Sequence, residues 1–312
     1  MIVCLGTTPA VQRVMTFDRL HVDGVNRARV VSQSASGKSL NVARVVHTLG
    51  EDAIATGFVG GDSAAFIRKD LDAAGIKHAF VEVEPTTRTC VTVIDEGAGT
   101  ATELIEESKQ VEQEAWGRLL DKLESLMVPA TRLVLSGTLP PGAPQDFYAN
   151  CVRMSQGYGV GAIVDATGEP LRLAAAVKAH VMKPNRAEIG CTFGVDTSTE
   201  AGVREAIQRM VAPCGAEWAV VTMGGEGVVV SNGLNFWRVT VPQVDVVSPI
   251  GSGDAFAAGL AVGLERSQPV NEAVILATAC GSANALTPVP GFVRPEDVER
   301  LQRAITVTTL SS

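Results

Sequence analysis

The chain has 312 residues, 46% hydrophobic and 19% charged, with 31 Gly and 15 Pro, which excludes a disordered, collagen-like or coiled-coil protein. Its 26 Lys and Arg against 34 Asp and Glu give a net charge of −8. No global positive field can therefore hold nucleic acid or an anionic membrane, and any phosphate site must be local. Six cysteines without CxxC spacing and four histidines without an HExxH motif argue against a zinc site or a disulfide framework and favour a cytoplasmic protein.

The first residues, MIVCLGTTPA, lack the basic and apolar regions of a signal peptide. Short apolar runs then alternate with longer amphipathic ones, which predicts an α/β fold with a mostly parallel, doubly wound sheet covered by helices on both faces. Strands are predicted at residues 2–6, 53–59, 132–136, 161–165, 181–183 and 218–222. Helices are predicted at residues 40–49, 64–74, 112–126, 200–211 and 254–264.

Two regions break this alternation. Residues 14–34, and residues 87–106 with the alternating run RTCVTVID, are each predicted as a strand pair without a helix. Because the two regions are similar, we expect them to join into a small β-sheet lid, formed by about residues 12–35 and 86–107, on a single domain that spans the chain. The uncharged run 273–293 is interrupted by glycine, proline and polar residues, so we expect a buried helix followed by a loop rather than a membrane span.

The most informative segment is VVSPIGSGDAFAAG, which ends at Gly259. A β-rich run is followed by Gly251, Ser252 and Gly253, and then by Asp254 at the start of a predicted helix. Glycines let backbone amides turn toward one point, and the helix adds the positive end of its dipole, so the segment is typical of an anion hole. Asp254 beside that hole could accept the proton of an attacking hydroxyl. An aspartate that merely caps the helix fits the segment about equally well.

A second segment, ASGKSLNVARVVHTLG, also precedes a predicted helix. A P-loop would need glycine at position 32, where this chain has Ser32, so it is not a P-loop. Lys38 suits a phosphate, and the side-chain amide of Asn41 suits sugar hydroxyls. The alternative, which this segment alone favours, is that Ser36 or Ser39 caps the helix and that Lys38 is solvated.

The remaining turns are weak signals individually. Asn185 with Glu188 matches a helix capping box slightly better than a site for hydrated magnesium. The turn TMGGEG from Thr222 could cradle nucleotide phosphates, although in isolation a hairpin is favoured. SGTLPPG from Ser136 and DATG from Asp165 end two further predicted strands. Five such turns follow predicted strands, at the edge where doubly wound sheets form their binding crevice, which indicates a ligand site.

As a set, these motifs resemble the ribokinase-like carbohydrate kinases, within them the sugar-phosphate branch that includes 1-phosphofructokinase and tagatose-6-phosphate kinase. The resemblance spans nearly the whole chain, in the order TTPAVQRV, VNR, SGKSLNVAR, VGGD, TRT, SGTLPPG, DATG, KPNRAE, TMGGEG and PIGSGDAFAAG. It implies a three-layer α/β/α core, a β-sheet lid that often makes a homodimer contact, and Mg²⁺-dependent transfer of the γ-phosphoryl group of ATP to a sugar hydroxyl. The resemblance is also compatible with a monovalent cation as an additional cofactor.

The resemblance implies roles for single residues. Asp254 matches the catalytic base, and Gly251, Ser252 and Gly253 match the anion hole. The nucleotide positions are Lys183, Asn185, Thr222, Gly224, Gly227 and, in the adenine pocket, Asn284; magnesium matches Asn185 and Glu188, through water. The acceptor positions are Gln12, Gly37, Asn41, Ser136 and three cations for the acceptor's own phosphate, Arg27, Lys38 and Arg88.

The chain departs from the family pattern at the sugar site. The family's start reads N-P-A-x-D, with an aspartate that accepts from two sugar hydroxyls, whereas this chain has Gln12, which offers one acceptor oxygen. Ser36 and Ser39 replace two family glycines that flank Gly37 and Lys38, which adds bulk beside the sugar. We therefore expect an acceptor other than fructose 1-phosphate, or weak activity on it. The alternatives are a same-fold kinase of an unphosphorylated sugar or nucleoside and a catalytically impaired binding protein.

Overall fold

The apolar runs form fifteen strands and the amphipathic runs form ten helices in the residues that this computed structural model describes, 1–211 and 215–310. The strands are β1 (Ile2–Gly6), β2 (Ala10–Phe17), β3 (Val30–Ser36), β4 (Ala53–Val59), β5 (Lys77–His78), β6 (Val81–Glu82), β7 (Thr89–Asp95), β8 (Thr100–Ile105), β9 (Arg132–Ser136), β10 (Gly161–Asp165), β11 (Val181–Met182), β12 (Trp218–Thr222), β13 (Val228–Ser231), β14 (Phe236–Val239) and β15 (Val307–Leu310). The helices are α1 (Lys38–Thr48), α2 (Gly61–Ala73), α3 (Gln113–Met127), α4 (Phe147–Gly157), α5 (Gly168–Ala176), α6 (Arg186–Phe193), α7 (Glu200–Val211), α8 (Ser252–Glu265), α9 (Val270–Ala285) and α10 (Pro295–Gln302).

Eleven strands form the main sheet, in the order β15-β14-β13-β12-β11-β10-β9-β1-β4-β5, with β6 also paired to β4. Neighbours from β12 to β4 are parallel, whereas β13, β14 and β15 pair antiparallel at one end. Parallel neighbours end at the same edge, so the turns after β9, β10, β11 and β12 lie side by side. The mostly parallel sheet and all six predicted strands are confirmed, although β11 ends one residue before the predicted 183.

Side chains that alternate along the strands divide the core into two hydrophobic layers. In β1, Ile2 and Cys4 pack into one layer and Val3 and Leu5 into the other. The first layer includes residues of α1, α2, α8, α9 and α10, and the second includes residues of α3, α4, α5, α6 and α7. Helices on both faces of one sheet give the expected three-layer α/β/α architecture.

The two strand pairs predicted outside the main alternation join into one four-stranded sheet, in the order β3-β2-β7-β8. Strand β2 pairs antiparallel with β3, β7 pairs antiparallel with β8, and β2 pairs parallel with β7, which unites the two regions. We call β2, β3, β7 and β8 the small sheet. Its register places Ala10 opposite Ser36, so the hairpin begins beside the main sheet, four residues before the predicted position 14.

Some boundaries and one element differ from the sequence predictions. Helices α1 and α8 begin two residues earlier than predicted, at Lys38 and Ser252. The β-rich run before Pro249 is irregular chain rather than a strand, so only four of the five turns follow strands. The uncharged run does contain a buried helix, α9, followed by a loop. Among residues 1–211 and 215–310, no helix has both the length and the apolar character needed to cross a membrane.

Candidate active site

The first turn of α8 is shaped by a glycine. Gly251 is the N-cap with φ +83°, and a Cβ there would lie 2.8 Å from the Cα of Pro290, so both conformation and space require glycine. The amides of Ser252 and Asp254 donate to the carbonyls of Pro249 and Gly251 at 3.2 and 3.1 Å. The amides of Gly251 and Gly253 have no acceptor among the described residues. These two N–H groups, at the positive end of the helix dipole, can bind an anion.

Asp254 lies at the third position of α8, and only 6% of its surface is exposed. The Nδ2 of Asn41 donates to its Oδ2 at 2.7 Å. Burial raises the pKa of the Asp254 carboxyl to about 6, while Lys38 and the Asn41 hydrogen bond oppose that rise. The alternative that Asp254 only caps the helix is wrong, since the N-cap is Gly251 and no side chain caps it.

The start of α1 is also set by glycine. Gly37 is the N-cap with φ +106°, and a Cβ there would lie 2.8 Å from the Cα of Pro9, where the small sheet meets the main sheet. Among residues 1–211 and 215–310, no side chain caps this helix, so the alternative in which Ser36 or Ser39 does so is wrong. The Ser36 hydroxyl donates instead to Oδ1 of Asn41 at 3.0 Å. Asn41, expected beside a sugar, thus has both ends of its amide bound to protein groups.

Two lysines share one buried aspartate next to this site. Nζ of Lys38 lies 3.2 Å from Oδ1 of Asp165, and Nζ of Lys183 lies 3.2 Å from Oδ2. Burial alone would raise the pKa of the Asp165 carboxyl, but the two ammonium groups outweigh burial and lower that pKa. Attraction by Asp165 in turn raises the pKa of Lys38. Lys38 is therefore an ion-paired side chain, and the alternative of a merely solvated lysine is wrong.

Asp165 was not among the predicted site residues, although its motif DATG follows a predicted strand. Its partners lie on α1 and just after β11, and Lys38 is 127 residues away in sequence. Lys183, predicted at the nucleotide phosphates, is 2% exposed. A Cβ on Gly253 would lie 3.9 Å from Lys183 Nζ, so this lysine adds positive charge next to the α8 amides.

The start of α6 is a complete capping box. The amide of Glu188 donates to Oδ1 of Asn185 at 2.9 Å, and the amide of Asn185 donates to Oε2 of Glu188 at 2.7 Å. The capping interpretation of this pair is thus confirmed. The other carboxylate oxygen, Oε1, lies 3.9 Å from Nζ of Lys38 and forms a long ion pair with it. Within the described part of the chain, no cluster of three or more His, Cys, Asp or Glu residues could hold a metal by itself.

A cavity of about 850 Å³ opens beside the first turn of α8. This volume lies within the usual range for small-molecule sites, about 300 to 1,000 Å³. Its walls come mainly from the hairpin turn between β12 and β13, the irregular segment 241–246, the first turn of α8, and α9, and Arg300 of α10 also contributes. The lining residues include Thr222, Gly224, Gly227, Ser252, Gly253, Gly281 and Ser282. Sequence reasoning missed the segment 241–246, which has no motif.

Asn284, expected in the adenine pocket, does not line this cavity. It is fully buried, and its Nδ2 donates to the Ile250 carbonyl at 2.8 Å while its Oδ1 accepts from the Gly291 amide at 2.8 Å. The side chain therefore ties together the two loops that flank Gly251. Its neighbours on α9, Ser282 and Ala285, reach the cavity instead.

On the other side of Asp254, the small sheet approaches the main sheet. Gln12 is buried, and its Nε2 donates to Oγ1 of Thr92 at 2.8 Å. Arg88 donates to the Thr8 carbonyl at 3.2 Å, and its Nε is buried without a partner among the described residues. Ser136, at the end of β9, likewise has a buried hydroxyl that bonds to no group in the part of the chain that the structure describes. Unpaired buried donors of this kind are costly unless a ligand or water satisfies them.

Arg27 is not brought to this site within the chain. It is exposed in the connection between β2 and β3, beyond the Thr16–Val30 pair. The opposite end of the hairpin, Ala10 with Ser36, is the end beside Asn41 and Lys38. Six residues of strand separate the two ends, about 20 Å. Of the three cations expected around the acceptor's phosphate, only Lys38 and Arg88 lie near this end of the hairpin.

Several solved structures of known proteins are similar in fold to this chain. A "putative phosphofructokinase" from Staphylococcus aureus is 27% identical over 99% of both chains, with a TM-score of 0.81. Phosphofructokinase-2 from Escherichia coli, solved in complex with fructose-6-phosphate, shares the fold at 24% identity and a TM-score of 0.88, over 97% of this chain and 98% of that one. A "possible 1-phosphofructokinase" from Thermotoga maritima shares it at 22% identity and a TM-score of 0.91, over the full length of both. Residues 1–296 match the model of the pfkB family carbohydrate kinases, and the chain therefore belongs to that family.

Proposed function

We propose that this carbohydrate kinase transfers the γ-phosphoryl group of ATP to a hydroxyl of a phosphorylated sugar. The observation that carries the proposal is the position of Asp254. This buried carboxylate follows Ser252 and Gly253, which line a cavity of about 850 Å³, and the positive charges of Lys38 and Lys183 act on it. On a chain of net charge −8, cations collected at one edge of the sheet supply the local positive field that two phosphorylated substrates need.

Asp254 acts as the general base in this proposal. It takes the proton of the acceptor hydroxyl while that oxygen bonds to the γ-phosphorus and the bond to the leaving ADP oxygen breaks. A pKa of about 6 leaves the carboxylate ionised at neutral pH but more basic than an ordinary one. The free amides of Gly251 and Gly253 stabilise the charge on the transferring group.

The cavity is the proposed ATP site, with the phosphates directed toward Gly253. Thr222, Gly224 and Gly227 line the part of the wall formed by the hairpin turn. Magnesium fits a site with few protein ligands, because Mg²⁺ keeps several waters and binds mainly to the substrate's phosphates. Asn185 and Glu188 would hold it through water, and the bound ion would neutralise phosphate charge.

The acceptor site explains why we expect an unusual sugar. The amide nitrogen of Gln12 is occupied by Thr92, which leaves one carbonyl oxygen for a sugar hydroxyl. A carboxylate at this position would offer two oxygens. Lys38 and Arg88 are the proposed contacts for the acceptor's own phosphate, and Ser136 contributes an unsatisfied hydroxyl. We infer a phosphorylated acceptor that differs from fructose 1-phosphate.

We also infer that the small sheet acts as a lid and pairs two copies of the chain. Its edge strands β3 and β8 carry exposed apolar side chains, among them Val30, Val31, Leu104 and Ile105, each about half exposed. Exposed edges with apolar side chains are typical of surfaces that pair with another strand or chain.

The test is an ATP-consumption screen over hexose and pentose phosphates and the matching neutral sugars and nucleosides, with Mg²⁺ present. We expect turnover with at least one sugar phosphate. Asp254→Asn should abolish turnover and leave ATP affinity nearly unchanged, whereas Asp121→Asn, on an exposed position of α3, should change neither. Faster turnover of neutral sugars would favour the same-fold alternative. ATP binding without transfer to any acceptor would favour a catalytically impaired binding protein.

A further inference from the structure

A hydrogen-bond chain links the small sheet to Asp254. The Ser36 hydroxyl donates to Oδ1 of Asn41 at 3.0 Å, and Nδ2 of Asn41 donates to Oδ2 of Asp254 at 2.7 Å. The three residues are 4%, 4% and 6% exposed and belong to β3, α1 and α8. Since all three are buried, water does not compete well for these hydrogen bonds.

The donor and acceptor ends of the Asn41 amide fix the direction of these two hydrogen bonds. Only the NH₂ end of Asn41 can donate to a carboxylate, and its carbonyl end must then find a donor elsewhere. The hydroxyl of Ser36 is that donor, so it holds the amide in place and polarises it toward Asp254.

We propose that Ser36 is a positioning residue, which holds Asn41 so that Oδ2 of Asp254 is occupied and Oδ1 is the oxygen that accepts the proton. This inference rests on the proposed function of Asp254 as the base. Ser36 is the last residue of β3. Two hydrogen bonds, from Ser36 to Asn41 and from Asn41 to Asp254, therefore connect the small sheet to the carboxylate.

Other charged groups also face Asp254 and must be separated from this effect. Lys38 from α1, Asp165 from β10 and Lys183 after β11 all contribute to the electrostatic environment of Asp254. Helix α9 also packs on α8, and its titratable side chain at that contact is the Cys280 thiol, beside Gly259. None of these groups bonds to Ser36 in the described chain, so substitution of Ser36 leaves the charges in place.

The experiment compares Ser36→Ala with Ser36→Thr, which restores a hydroxyl, and with Ser34→Ala. Ser34 is a buried residue of the same strand whose hydroxyl makes no hydrogen bond among the described residues. The pKa of Asp254 is measured by NMR titration of its ¹³C-labelled carboxyl, identified by its loss in Asp254→Asn, and the pH dependence of kcat/KM is measured in parallel.

In Ser36→Ala, we expect the carboxyl midpoint and the acid limb of kcat/KM to move up by about half a pH unit, because a weakened Asn41 hydrogen bond favours the carboxylate less. We expect kcat to fall about fivefold, the effect of one hydrogen bond, with the KM for ATP unchanged. Ser36→Thr and Ser34→Ala should keep both midpoints within about 0.2 pH units of the wild-type value, because each variant retains a hydroxyl donor at position 36.

A folded Ser36→Ala protein with wild-type midpoints would overturn the inference, as would an equal shift in Ser34→Ala. If Ser36→Ala does not fold, Ser36→Cys takes its place, since a thiol is a weaker donor than a hydroxyl, and it should move both midpoints up, whereas unchanged midpoints would overturn the inference. The NMR titration needs no substrate. A chain without kinase activity would thus defeat the proposed function and leave this hydrogen-bond chain to be judged separately.

Discussion

At the scale of single residues, the site combines two carboxylates whose surroundings push their pKa values in opposite directions. Asp165 is paired with Lys38 and Lys183 and stays ionised, whereas Asp254 is buried with one amide donor and has a raised pKa. Two carboxylates with separated pKa values are typical of sites where one residue exchanges a proton and the other holds charged groups in place. The surroundings of Asp165 therefore suit a residue that holds the two lysines in place, and those of Asp254 suit the proposed general base.

The raised pKa of Asp254 predicts that Asp254→Asn changes stability in a pH-dependent way. The carboxyl has a pKa of about 6 when folded and about 3.9 when unfolded. Below about pH 4 both states hold the proton, so the carboxyl does not penalise folding; as pH rises through about 6, the folded state carries an unfavourable charge. Relative to the wild type, Asp254→Asn should gain about 3 kcal/mol between about pH 4 and pH 8.

Urea unfolding at a series of pH values without substrates measures this difference. Asp121→Asn, which removes an exposed carboxylate from α3, should differ from the wild type by a nearly constant and small amount. A constant difference for Asp254→Asn as well would contradict the raised pKa, and with it the assignment of Asp254 as a base tuned by burial.

Residue-scale reasoning from sequence alone predicted the α6 capping box and singled out Asp254 from local motifs, whereas Lys38 was assigned to the site by the family resemblance. It did not identify the role of Asp165, because that role depends on ion pairs with Lys38 and Lys183, which lie in other parts of the chain. It also placed Asn284 in the pocket because a motif shows which residue is present but not which way a buried amide turns. Arg27 was grouped with Lys38 and Arg88 because all three match cation positions of the resembled family, although a full hairpin length separates it from them within this chain.

At the scale of elements, α1 and α8 both start at glycines pressed against another backbone. Helix starts of this kind have no side-chain cap, which is why sequence analysis placed both starts two residues late. The strands were easier to predict, since an apolar run of five residues between turns has few alternatives in an α/β chain. The segment 241–246 has no regular structure and no motif, so its place in the cavity wall follows only from the tertiary fold.

The contact at the start of α8 predicts a large effect of Gly251→Ala. A side chain there must adopt φ near +83° and also displace Pro290, whose Cα would be 2.8 Å away. Gly50→Ala is the matched control, because Gly50 has φ +86° but nothing within 4 Å of its Cβ position. The backbone conformation alone costs about 1 kcal/mol, so Gly50→Ala should lose about that much stability and Gly251→Ala at least about twice as much.

The measurement is the free energy of unfolding of both variants, together with kcat on the best acceptor. Gly251→Ala should lower kcat at least about tenfold, because displaced amides no longer point at one anion. Gly50→Ala should keep its kcat, since it lies at the far end of α1. Equal losses of stability in the two variants would mean that the packing against Pro290 contributes nothing.

At the scale of the whole molecule, the topology collects residues from distant parts of the sequence at one edge of the main sheet. The parallel order β12-β11-β10-β9-β1-β4 places Thr222, Lys183, Asp165 and Ser136 at the ends of adjacent strands, and α8 delivers Asp254 above them. The β2–β3 hairpin of the small sheet connects β1 to α1 and lies beside the same edge.

The small sheet also predicts the oligomeric state. Val31 and Leu104 lie on the same face of its two edge strands, 47% and 57% exposed. We expect a dimer by sedimentation velocity, which Val31→Asp with Leu104→Asp should convert into a folded monomer, because two charges in an apolar contact remain unpaired. Leu234→Asp is the control, since Leu234 is 88% exposed in the hairpin between β13 and β14 of the main sheet, and it should leave the dimer intact. A wild-type monomer at all concentrations, or a dimer that survives the double substitution, would contradict pairing through this sheet.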